Sequence, residues 1–242
     1  MRKILTLPQC FLIITALLLS SKSFAESKFT GPYAGVNLGV GSTKYDISHD
    51  AGDTYASGGE YIKGWNSSKD LGLQLGYNFQ LNNDFILGLE VGYSKYDQNK
   101  KTAHEERYPD RDWIVVNMDN SAAFKGKFGY IINENVLVYT SLGYERLAYD
   151  LSNYNDRHDP SDLVGHSIKS KNLKANATSL GLGVSWFIPK IEKVAFFAEA
   201  NISKIHSEYR FSENEMSQDT DVGDYSKIDK SAKIKFGFNY MF

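Results

Sequence analysis

Three glutamates and four lysines stand inside stretches whose alternate residues are apolar: Glu90, Glu145 and Glu199, with Lys125, Lys127, Lys233 and Lys235. Two carboxylates held apart can work as general acid and base. A carboxylate beside a lysine is just as readily a buried ion pair. Glu90 lies at about the same depth along its stretch as Lys125 and Lys127 on the next. Glu199 stands in the same relation to Lys233 and Lys235, and Glu145 and Gln74 fall nearby. The spacing predicts a paired structural network in preference to an acid–base pair or an ion path. No serine has a nucleophile context, and no Asp/His constellation resembles a protease, so no catalytic residue is expected.

The histidines, His49, His104, His158, His166 and His206, fall among polar residues such as "HEER" and "HDPSD". Imidazoles beside carboxylates are candidate ligands for a divalent metal or haem. Their spacing repeats no ligand pattern, and hydrophilic loop composition explains them as well. "DTDVGD" at 219–224 is rich in carboxylates without the spacing of a helix-loop-helix calcium site. Neither a cofactor nor a metal is expected.

Residues 1–25 carry a basic start, the apolar run FLIITALLL and a small-x-small signal at Ser23–Phe24–Ala25. That is the pattern of a cleaved signal peptide, and the run is too short for a membrane-spanning helix of about 20 residues. A retained anchor, or a lipoprotein at Cys10, fits less well. Cleavage would remove the only cysteine, so the mature domain at 26–242 has no disulfide or thiol chemistry. It would also remove Arg2, Lys3 and Lys22, moving the formal charge from -2 to -5. No basic face suggests nucleic-acid binding.

Eight stretches of period-two alternation could position the charges. They are "PYAGVNLGVG", "LGLQLGYNF", "FILGLEVGYS", "AAFKGKFGY", "VLVYTSLGYE", "TSLGLGVSW", "VAFFAEANIS" and the closing "AKIKFGFNYMF". Short links, "QLNND", "IINEN" and "IPKIEK", follow the second, fourth and sixth. Long polar links near 45–65, 99–112, 150–172 and 208–226 join the others. Glycines share the phase of the charged residues throughout, Gly126 excepted. A soluble barrel or sandwich would turn its bulky apolar set inward and its polar set to water. Glycine and charge on one face suit a crowded polar lumen inside an apolar, lipid-facing wall. The prediction is all-β: an eight-stranded antiparallel up-and-down transmembrane β-barrel, closed by its first and last strands, both termini periplasmic. Tyr77, Phe79, Phe85, Tyr130, Trp186, Tyr240 and Phe242 fall near the short-link ends, where an interfacial girdle belongs. The last long link carries six acids and one arginine, so acidic tips are expected outside.

"FTGPYAGVNLGVG" at 29–41, "FKGKFGYIINENVLVYTSLGY" at 124–144 and the terminal "FGFNYMF" carry a resemblance. The chain resembles the small outer-membrane barrels of the porin-like surface-antigen type of Gram-negative bacteria. The resemblance implies a cell outer membrane location and partners among outer-membrane lipids, lipopolysaccharide, periplasmic chaperones and the assembly machinery. It assigns the assembly signal to Tyr240 and Phe242. Relatives include structural, adhesive, immune-evading and haem-binding proteins. The expected role is a structural or surface protein without enzymatic activity, whose acidic loops contact a host, ligand or neighbouring surface. Uptake of a small solute, ion or haem is the alternative.

Overall fold

The computed structural model describes residues 27–49, 60–82, 84–98, 102–104, 110–157, 166–188, 190–210 and 225–242. The signal peptide expected at 1–25 lies outside them, as do the central parts of all four long links. Ten strands follow in order: β1 Gly31–His49, β2 Glu60–Gln80, β3 Phe85–Gln98, β4 Thr102–His104, β5 Asp110–Asn133, β6 Val136–Arg157, β7 His166–Phe187, β8 Val194–His206, β9 Tyr209–Arg210 and β10 Tyr225–Met241. Eight long strands form one antiparallel barrel in the order β1-β2-β3-β5-β6-β7-β8-β10, and β10 closes on β1. The closing register runs from Tyr33↔Met241 to Ser48↔Tyr225, with a shift between Lys44 and Tyr45. Short β4 and β9 pair with β5 and β10 beyond the long strands.

The alternation in sequence becomes an inside and an outside. On β8, Ala195, Phe197, Glu199, Asn201 and Ser203 are buried inward, while Ala200 and Ile202 are exposed. On β10, Ile234, Phe236, Phe238 and Tyr240 are exposed while Lys233 and Asn239 are buried. Strand side chains alternate with period two, so a one-residue slip would exchange these sets.

The long links are shorter than the sequence suggests. Residues 45–49, 60–65, 110–112, 150–157 and 166–172 are strand, and β5 alone is 24 residues long. A membrane needs roughly 9–11 residues per strand, so the hairpins stay paired well past an apolar belt. Backbone pairing does not require the apolar alternation by which the stretches were recognised, so polar extensions escaped it.

The three short connections, the start of β1 and the end of β10 share one end of the barrel. Asn82 Oδ1 accepts from the backbone of Asp84 and Phe85 at 3.0 and 2.9 Å, an Asx turn joining β2 to β3. Asn133 Oδ1 does the same for Asn135 at 2.9 Å between β5 and β6. The Phe242 amide donates to the Pro32 carbonyl at 3.1 Å. Tyr77–Phe79, Phe85–Tyr130 and Tyr240–Phe242 make ring contacts with centroids 4.5, 5.3 and 5.2 Å apart at this end.

Candidate functional site

The inward phase builds the lumen in layers. Phe29, Tyr33, Ile86, Leu137, Tyr139, Phe187, Ala195 and Met241 form an apolar plug at the short-turn end. Phe29 reaches it because the chain bends back before β1. Gly31 has φ +104°, a conformation that favours glycine, and the Phe29 carbonyl accepts from Asn78 Nδ2 at 2.8 Å. The Phe29 ring then lies 4.8 Å from that of Phe187. A cavity of about 20 Å³ remains here, room for about one water.

Charge begins immediately above. Glu90 on β3 accepts from the Tyr33 hydroxyl at 2.9 Å and from Lys127. Lys127 Nζ sits 5.5 and 5.0 Å from the ring centres of Tyr33 and Tyr139, within cation–π range. Lys125 Nζ donates to Glu199 at 2.6 Å and lies 3.9 Å from Glu90. Glu199 also accepts from the Tyr139 hydroxyl at 2.9 Å. Lys125 therefore couples glutamates from β3 and β8. The two tyrosine rings fit because Gly76 and Gly183 lie beneath them. A Cβ on either glycine would collide with the ring of Tyr33 or Tyr139 respectively.

A second cluster lies further from the turns. Glu145 on β6 accepts from the Tyr96 hydroxyl at 3.1 Å and from Lys233 Nζ at 3.4 Å. Lys233 also donates to the Tyr96 hydroxyl, and its Nζ lies 4.6 Å from that ring centre. Asn37 Nδ2 donates to Gln74, and Gln74 Nε2 to Asn239, at 3.0 and 2.7 Å. Above these, Tyr96, Val116, Met118, Leu147, Tyr149, Ala175, Ala177, Ile205 and Ile228 form a second apolar layer.

The sequence pointed to Glu199 with Lys233 and Lys235; the structure pairs Glu199 with Lys125 and Lys233 with Glu145 instead. Lys235 is directly opposite Glu199 in register, yet its Nζ finds Ser94 Oγ at 3.5 Å. Counting neighbours along the wall misleads because all eight strands point at a common axis. A lysine stem crosses that narrow space as easily as it reaches the next strand.

The sequence pointed to a crowded polar lumen, and the structure adds apolar layers at both ends of the charged one. Ile86, Leu137, Phe187, Phe197 and Met241 all stand in the polar phase, and that was the available signal. Asp70 was missed as well. It is buried at 4% exposure in the phase of Gly72 and Gln74. Gly39 separates it in register from Lys235, and neither Asp70 oxygen has a hydrogen-bond partner. With Asp70 counted, the inward-phase carboxylates Asp70, Glu90, Glu145 and Glu199 stand among the buried Lys125, Lys127 and Lys233 and the half-buried Lys235.

His49, His104, His166 and His206 lie on strands toward the long-link end, and His158 is outside the described residues. Among the described residues no three His, Cys, Asp or Glu side chains are grouped to hold a metal ion. Among the described residues no helix is long and apolar enough to cross a membrane, which does not bear on a β-barrel.

The family of the outer membrane protein beta-barrel domain matches residues 11–242. This chain belongs to that family. It is a member of the small Gram-negative outer-membrane barrels, consistent with its eight long antiparallel strands closing into a barrel. No curated protein matches the sequence. Among solved structures it is similar to Ail, the attachment invasion locus protein of Yersinia pestis, at 14% identity and TM-score 0.39, covering 88% of this chain and 99% of that one. Neisserial surface protein A aligns at 11% identity and TM-score 0.42, covering 88% and 98%. The outer membrane protease OmpT of Escherichia coli aligns at 9% identity and TM-score 0.38, covering 92% and 100%.

Proposed function

We propose that this outer-membrane barrel is a closed structural and surface protein without enzymatic activity, holding acidic loops outside the cell. The filled lumen carries this reading. Two apolar layers enclose a charged layer whose glutamates are taken up by lysines and tyrosine hydroxyls. A lumen occupied in this way offers neither a substrate cleft nor a wetted ion path. The charge network of Glu90, Lys125, Lys127, Glu145, Glu199, Lys233 and Lys235 then serves to fix the eight strands in one register.

The short turns and both termini face the periplasm in this reading, and the long links face outward. Residues 1–25 are removed, so the N-terminus of the mature protein is Glu26. Edman sequencing of protein from outer-membrane fractions checks that point.

The deciding experiment is transport. Refolded protein in planar bilayers is expected to give no steady conductance steps, and liposomes containing it are expected not to swell in small sugars. Reproducible conductance or swelling would replace this reading by uptake of small solutes or ions.

A further inference from the structure

β7 and β8 run side by side only as far as Asn176 and His206. Beyond that pair β7 stays in strand conformation back to His166, laddered to β6 from Ala175↔Leu147 to His166↔Asn155. β8 takes another course. The Ser207 hydroxyl accepts from the Ile228 amide at 3.0 Å and donates to the Ile228 carbonyl at 3.3 Å, standing in for a ladder pair with β10. β9 then continues along β10, Tyr209 opposite Ser226 and Arg210 opposite Tyr225. The wall therefore parts above His206. Among the described residues nothing pairs with the β8 side of β7 from His166 to Ala175.

A second parting lies across the barrel. β3 pairs with β5 no further than Lys95↔Asn120, and β2 runs on from Ser67 to Glu60 with only β1 beside it among the described residues. The two free edges differ in charge. Residues 166–176 carry His166, Lys169, Lys171 and Lys174 without a carboxylate, whereas 60–67 carry one acid, Glu60, and one base, Lys63. Lys174 is exposed, while Leu173 packs against the upper apolar layer.

An unpaired edge presents a row of backbone N–H and C=O groups, a template for one more strand. The lysines set a condition on that strand. A second copy of the same edge would bring lysine against lysine, and like charges on neighbouring strands repel. A strand rich in carboxylates meets complementary charge instead.

We infer that β7 from His166 to Ala175 takes up an extended acidic segment of another polypeptide as an added strand. Main-chain hydrogen bonds to the free edge hold it, and its carboxylates meet the charge of Lys169, Lys171 and Lys174. Side chains on its inner face fall beside Leu173, which favours apolar residues at alternate positions. The inference deepens the proposed surface role by naming a class of partner, and it rests on the placement of the long links outside the cell.

The experiment uses the refolded mature chain in non-ionic detergent micelles and a fluorescent peptide alternating glutamate and valine. Controls are a lysine–valine peptide and a glutamate–valine peptide interrupted by prolines, which cannot donate to a ladder. Anisotropy is expected to show the uninterrupted glutamate peptide bound at least tenfold tighter than either control. Amide hydrogen exchange is expected to slow at 166–175 when that peptide is added. Lys169→Gln, Lys171→Gln and Lys174→Gln together should weaken binding at least tenfold, and Lys190→Gln with Lys193→Gln, at the turn end, should leave it unchanged. Equal binding of the lysine peptide, or an unaffected triple variant, overturns the choice of an acidic partner. Equal binding of the proline peptide overturns strand addition. Peptide-dependent protection at 60–67 in place of 166–175 overturns the site. Slow exchange at 166–175 without peptide would show the edge already covered, by this chain or a second copy, and overturns it as well. If the triple variant loses its heat-modifiable fold, the three peptides on wild type decide. Conductance in bilayers would count against the closed-barrel reading alone, because peptide binding in micelles depends on neither closure nor topology.

Discussion

Lys125 holds the interior together at the scale of single residues, because it reaches glutamates from two strands. Lys125→Met removes the ammonium 2.6 Å from Glu199 and leaves that carboxylate the Tyr139 hydroxyl without its closest counter-charge. Breaking a buried pair costs about 3–5 kcal/mol, and the urea midpoint in detergent micelles should fall accordingly. Lys125→Met with Lys127→Met should lower it further, since Glu90 then keeps only Tyr33. An unchanged midpoint would mean that the network does not contribute to stability. Glycines give an independent check on the same layer. A Cβ at Gly183 meets the Tyr139 ring, whereas one at Gly126 meets nothing within 4 Å. Gly183→Val should therefore destabilise by about 1–3 kcal/mol through overpacking, while Gly126→Ala is expected to be tolerated. Similar midpoints for the two would put Gly183 outside the packed lumen.

Among the elements, the closing strand β10 carries the heaviest demands, because it pairs with both β8 and β1. Phe236 is midway along its apolar row and 56% exposed. A lysine at the bilayer midplane costs roughly 2–4 kcal/mol. Phe236→Lys should lose that much in lipid vesicles while Phe236→Leu loses far less. Equal tolerance would mean that this face does not meet lipid. Tyr240 and Phe242 make a separate claim, through the assembly signal that the resemblance implied. Phe242→Ala should reduce heat-modifiable protein in outer-membrane fractions of cells, yet leave refolding of the purified chain in detergent unchanged. The segment before β1 behaves as an element too. Phe29 is 1% exposed in the lower plug, so Phe29→Ala should cost about 3–5 kcal/mol as a large-to-small change in a packed core.

The whole molecule is a wall with two apolar seals, and its outer surface is divided by height. Aromatics mark the turn end and an apolar belt follows. Closure through β1 and β10 leaves no unpaired edge, which a bilayer requires. Trypsin or a broader protease on intact cells should cut within the four long links and spare the three short turns. Cutting at the turn between β2 and β3 in intact cells would reverse the topology.

Read alone, the sequence determined the eight long strands, the inside and outside of their apolar stretches, and which ends carry the short turns. These follow from period-two alternation, glycine phase and link length, all of which are local along the chain. Phe236 could be assigned outward and Lys235 inward without coordinates. Only the tertiary structure decided the partners of the buried charges, the two apolar seals and the height at which the strands stop. Lys125 meets Glu199, 74 residues away, because side chains from opposite strands converge on the barrel axis. That meeting depends on the relative stagger of strands, which no single stretch encodes. The free edge of β7 has the same origin. It begins beyond Asn176 because β8 leaves β7 there for β10, which is settled only when the barrel closes in register.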